Sequence, residues 1–276
     1  MNWVEKAYKL TDIAQTEPQP WDGYHIAWCV AVLLFSVVLS LAIRNSSDKV
    51  FRRTILVMWL VMLAFEIYKQ IFFSAELVDG AVVFSYNWTD FPFQLCSTPL
   101  YVLPILAFLK DSTIRDFAAS YTASYALIGG IAVYLFPSSV FCDFLIGNLH
   151  TMTHHGIQIS TGIITAEWYR KRINKSFFFK GVVTFAVMFT VAMLLNTVFR
   201  DYLVNTGRMA ADETFNMFLI NPYMEFSSPA FEDVLLKFSP WGRVALYFFG
   251  LPVGAAVVTW LLRLILNRKD SYAERA

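Results

Sequence analysis

The residues with catalytic potential are few and clustered. His150, His154 and Gln158 follow one another at four-residue intervals. On a helix they form one stripe, with His155 turned about 100° from His154. Two imidazoles at i,i+4 also suit a metal, but the HExxH pattern lacks its Glu. Thr151 and Met152 follow His150, and no acid occurs on that segment before Glu167. The expectation is therefore no metal and no other cofactor; neither a P-loop nor a GxGxxG element occurs. Cys96 is the candidate nucleophile. A thiol reacts as thiolate, which needs a base within reach and a group to orient that base. His154 is the candidate base, with Glu66 or Asn196 to orient it. Ser97 and Thr98 are rival nucleophiles, and a buried cysteine often packs as a small apolar side chain. Glu66 shares a helix face with Lys69 and Gln70 at i+3 and i+4. That face reads either as a self-neutralising ion pair or as part of a site.

The elements that must hold these residues are membrane helices. Hydrophobic residues make up 57% of the chain and charged residues 16%, where soluble domains carry about 25% charged residues. The net charge of +1 gives no footprint for nucleic acid. Seven stretches are long and apolar enough to cross about 30 Å of hydrocarbon: Tyr24–Ile43, Thr54–Phe73, Phe91–Leu109, Phe117–Phe136, His150–Trp168, Phe178–Phe199 and Trp241–Leu266. The predicted fold is an all-α, seven-span bundle in the cell membrane. Basic residues mark its cytosolic side. Arg44, Lys49, Arg52 and Arg53 follow span one, Lys110 and Arg115 span three, and Arg170, Lys171, Arg172, Lys175 and Lys180 span five. The N-terminus is then outside and the C-terminus cytosolic. Residues 1–23 form an outer segment, 24–268 the membrane domain with a long outer loop at 200–240, and 269–276 a cytosolic tail.

With that topology, Glu66 and Lys69 on span two, Gln94 and Cys96 on span three, His150 and His154 on span five and Asn196 on span six fall at similar depth, toward the outer leaflet. Pro92, Pro99 and Pro104 interrupt span three, and broken helices often line cavities. The segment from Gly80 to Asn87 suggests a hairpin or a re-entrant cap. Phe215–Ile220 and Phe231–Phe238 suggest short surface helices. His25, at the start of span one, reads as an interfacial residue.

FPFQLCSTPLYVLP at 91–104 resembles the LPxHLCxxxLxxxP signature of the bacterial YwaF-like integral membrane proteins. FEIYKQ at 65–70, GGIAVYLFP at 129–137 and HxxxHH at 150–155 match in the same order. That family is similar to eukaryotic transmembrane protein 164 and, more remotely, to androgen-induced-gene-1-like hydrolases. The resemblance implies acyl chemistry on membrane lipids, with Cys96 carrying the acyl group and His154 assisting; His150 and His155 are rivals to His154. Gln94 stands where the signature has His, so it cannot act as an acid or base. The expected function is a lipid acyltransferase or hydrolase whose partners are membrane lipids, with Cys96 and His154 catalytic and Glu66, Lys69, Gln94, His150 and Asn196 shaping the substrate site. The alternative is a proton-linked small-ligand transporter or a non-enzymatic membrane binding protein.

Overall fold

The computed structural model describes residues 6, 8, 13–79, 81–224 and 232–273. Parts of the 1–23 segment, Phe231 of the second surface helix, Gly80 of the expected hairpin and the last three residues of the tail lie outside them. The described residues are mostly helical. The main helices are α1 (Gly23–Ile43), α2 (Asp48–Phe72), α3 (Pro99–Phe108), α4 (Thr113–Leu135), α5 (Leu145–Trp168), α6 (Lys175–Asn205) and α7 (Pro240–Ala273). Five of these, α1, α2, α4, α6 and α7, are long and apolar enough to cross a membrane. The other two differ from them for separate physical reasons.

α3 has 10 residues and spans about 15 Å, half the hydrocarbon thickness. The expected span from Phe91 is therefore not one regular helix. Pro92 and Pro99 both lack the backbone donor that a continuous helix through them would need. Pro99 opens α3 instead, where its missing N–H has no intrahelical partner to lose. Residues 91–98 form an irregular arm with a single 3-10 turn at Leu95–Ser97. α5 has 24 residues, ample to cross, but is rich in His, Thr, Gln and Gly and is buried along most of its length.

α4 and α5 form the centre of the bundle. α5 packs against α1, α2 and α4, and α4 also packs against α3, α6 and α7. Close approach depends on small residues. A Cβ on Gly130 of α4 would lie 2.9 Å from the His155 carbonyl oxygen and from Ile159 of α5. Both α4 and α6 contain a π-helical turn, at Thr122–Ala126 and Leu195–Phe199.

At one end, the links after α1, α3 and α5 meet in an ion-pair network. Arg115 pairs with Asp48 at 2.6 Å, Arg172 with Asp111 at 2.5 Å and Lys180 with Asp116 at 2.6 Å. Glu167 is held between Arg44 and Arg170 at 3.3 and 3.2 Å. At the other end, Ala75–Val78 and Ala81–Phe84 form an antiparallel hairpin, slightly earlier than the sequence suggests. Residues 13–15 run beside 143–145, with Gln15 N–H donating to the Asp143 carbonyl at 2.7 Å. Phe215–Ile220 shortens to a 3-10 turn at Met217–Leu219. His25 is buried within the protein: its Nδ1 accepts from the Trp21 N–H at 3.0 Å, and its ring lies against Phe141.

Candidate functional site

The broken third span shapes the site. Outside a regular helix, the Cys96 carbonyl has no i+4 donor and turns toward α5. There it accepts from His154 Nε2 at 2.9 Å and from Gln158 Nε2. These are adjacent members of the α5 polar stripe, and both are buried. Because a carbonyl only accepts, His154 carries its proton on Nε2 and a lone pair on Nδ1. That Nδ1 is buried and has no hydrogen-bond partner. His155 donates from Nδ1 to the Thr151 carbonyl at 2.8 Å, which leaves its buried Nε2 unpartnered.

α2 supplies the charge. Glu66 is 4% exposed. Its Oε1 accepts from Gln70 at 2.8 Å and faces Lys69 Nζ at 3.4 Å, while its Oε2 lies 3.7 Å from His150 Nε2. Lys69 also lies 3.8 Å from Asp90, and Gln70 donates to the Asp90 carbonyl. Burial pushes the Asp90 carboxyl up from its ordinary range. Glu66, His150 and His154 bring their possible ligand atoms within 4.8 Å of one another.

These groups line a cavity of about 310 Å³. Its wall comprises Glu66 and Lys69 of α2 with Phe73 just after it, Asp90 just before the irregular arm at 91–98, Cys96 and Ser97 of that arm, residues 139–142, and Gly147, His150, Thr151, His154 and His155 of α5. Five of the seven site residues expected from sequence thus share one cavity: Cys96, His154, Glu66, Lys69 and His150. Gln94 and Asn196 do not line it. Gln94 accepts from Phe218 N–H at 2.9 Å and donates to the Asn216 carbonyl. Asn196 accepts from Met217 N–H at 2.6 Å and donates to the Met217 carbonyl at 2.9 Å. Together they clamp a loop in which Phe218 and Leu219 hold positive φ, each costing of order 1–3 kcal/mol. Among the rival nucleophiles, Thr98 is tied to Tyr121 and the Leu95 carbonyl, whereas Ser97 borders the cavity.

Asp90 is the member that sequence reasoning missed. The available signal was a lone acid at the outer end of span three, at the depth of Lys69.

Five helices long and apolar enough to cross a membrane, around a charged, imidazole-lined cavity, define an integral membrane protein. The chain belongs to the TMEM164 family, whose family model matches residues 21–262. No curated protein and no solved structure matches it.

Proposed function

We propose that the chain is a membrane-embedded lipid acyltransferase or acyl hydrolase. In this reading it crosses the cell membrane seven times, with residues 1–23 outside, 24–268 in the membrane domain and 269–276 in the cytosol. The meeting of three basic links at one end supports that orientation. It puts the cavity at the outer leaflet, at the depth of phospholipid ester groups. In this reading the chain is also a relative of the bacterial YwaF-like proteins, which the FPFQLCSTPLYVLP stretch at 91–104 supports.

The observation that carries the reading is the cavity shared by Cys96 and His154, with the His154 ring held against the backbone of Cys96 itself. His154 takes the thiol proton, and the Cys96 sulfur attacks the ester carbonyl. The tetrahedral intermediate expels the lysolipid alkoxide, which receives the proton from His154, and a thioester remains. A lysolipid hydroxyl or water then gives its proton to His154, attacks the thioester and releases the thiolate. Lys69 and His150 orient the substrate headgroup, and Glu66 holds both.

The test is labelling in native membranes with an acyl-mimetic electrophile. An adduct in the wild type that disappears in Cys96→Ala and in His154→Ala supports the reading. An adduct undiminished in both variants overturns it. The Glu66–Lys69–Asp90 cluster favours one second reading, a proton-linked carrier. In that case, pH-dependent solute flux into liposomes is lost in Glu66→Gln while Cys96→Ala transports normally.

A further inference from the structure

We infer that Glu66, His150 and His154 form a binding site for a divalent transition-metal ion of the zinc class, with the fourth coordination position open to the cavity. The inference does not rest on thiol chemistry, since Cys96 is not among the ligands.

Four observations carry it. First, the three ligand atoms converge within 4.8 Å, and Glu66 Oε2 is 3.7 Å from His150 Nε2. Around a tetrahedral ion with bonds of about 2.0–2.1 Å, neighbouring ligand atoms sit roughly 3.4 Å apart. The set therefore closes onto an ion with side-chain shifts of about an ångström or less. Second, His150 Nε2 and His154 Nδ1 are buried without a hydrogen-bond partner. Buried polar atoms are nearly always paired, and an exception calls for an ion, a water or a function. With Glu66 Oε2 3.7 Å from His150 Nε2, these residues form a donor set able to take a cation. Third, the outer partners are already in place. His154 donates its other N–H to the Cys96 carbonyl, and Gln70 donates to the second oxygen of Glu66. A backbone carbonyl on the far ring nitrogen is the usual partner of a metal-binding histidine, because it fixes the tautomer and aims the lone pair. Fourth, the charges allow it. Glu66 and Asp90 together outweigh Lys69 by one unit, and Lys69 sits on Oε1, leaving Oε2 to the ion.

Two imidazoles and one carboxylate suit zinc or a neighbouring first-row metal, whereas calcium demands six or more oxygens. Sequence pattern excludes the site only because it looks for the Glu between the two His. The fold supplies it from α2. An ion on His154 Nδ1 also occupies the lone pair that a thiol would need, so the metal-loaded and thiol-reactive forms are alternative states of one cavity.

The experiment uses the full chain in detergent or nanodiscs, stripped with a chelator and titrated with Zn²⁺ and Co²⁺. The expected result is one ion per chain and the intense visible absorption of tetrahedral Co²⁺. Affinity should fall in Glu66→Gln and in His150→Gln by more than the roughly 10–100-fold typical of losing an outer partner, and should hold in Cys96→Ala. Binding as tight in Glu66→Gln and His150→Gln as in the wild type overturns the site. Should those variants fail to fold, the wild type decides alone. A Co²⁺ spectrum together with a Zn²⁺-dependent rise in Tm supports the site, and the absence of both overturns it. Loss of acyl-probe labelling in the metal-free protein would count against the thiol reading and leave the metal site standing.

Discussion

The two ends of the bundle use similar chemical groups in opposite ways. At the basic end, Asp48, Asp111, Asp116 and Glu167 each meet a guanidinium or ammonium at 2.5–3.3 Å. The Arg115 guanidinium also lies over the Phe51 ring. Every one of these carboxylates is closely paired, although Arg115 keeps Nε and Nη2 without a hydrogen-bond partner, and much of the network is exposed to water: Asp111 is 61% exposed. At the cavity end the ion pairs of Glu66 and Lys69 stretch to 3.4–3.8 Å, and imidazole nitrogens are left without hydrogen-bond partners. Both ends enclose space, about 560 Å³ and 310 Å³. The presence of charge between helices therefore does not mark a site. Unsatisfied, converging charge in a dry setting does, because there a ligand gains interactions that the protein has not already made with itself.

Substitutions can sharpen or break this contrast. The largest effect belongs to the buried end. Glu66→Ala leaves Lys69 with one weak partner and should destabilise the protein by about 3 kcal/mol, read as a fall in Tm in detergent. Replacing Glu66 and Lys69 together by Gln and Met should recover most of that loss, since no buried charge is then orphaned. A double variant no more stable than Glu66→Ala would mean that the pair is not energetically coupled. Next comes the clamp beside the cavity. Asn196→Ala removes both bonds to Met217 and should cost about 1–3 kcal/mol. Probe labelling at Cys96 should persist, because Asn196 lies outside the cavity wall. The smallest effect is at the basic end, where Asp111→Ala should cost about 1 kcal/mol or less. The Arg172 hydrogen bond holds the Asp111 carboxyl below its ordinary range. A depressed carboxyl contributes stability above its unfolded pKa, about 3.9, and loses it as the pH falls further. Melting curves of wild type and Asp111→Ala should therefore differ at neutral pH and converge below about pH 4. A gap at Asp111 as large as that at Glu66 would remove the distinction between the two ends.

Much of this organisation is legible in the sequence because hydropathy and basic residues report position along a helix axis. The edges of α1, α2 and α4 fall within about six residues of the apolar stretches, and Glu66, Cys96 and His154, expected at similar depth, line one cavity. Hydropathy does not report rotation about the axis or which faces meet. Gln94 and Asn196 are expected at that depth too, yet they turn toward the 215–221 loop. The convergence of Glu66 with His150 and His154 joins two helices some eighty residues apart, so no local spacing encodes it. The arm at 91–98 was hidden by its own apolarity. Its prolines signalled a bend, but only the packing shows that half the span is not helical.

The burial of α5 has a consequence for how the chain is made. A segment bearing three histidines, Asn148 and Gln158 gains too little from lipid contact to leave the translocon by itself. Part of its polar surface meets α2 and the Cys96 carbonyl, and the helix packs closely with α1 and α4, all of which are synthesised earlier. In the seven-span reading proposed above, integration of α5 awaits its neighbours, so the helix that carries the proposed site is also the step at which biogenesis depends on tertiary structure already formed.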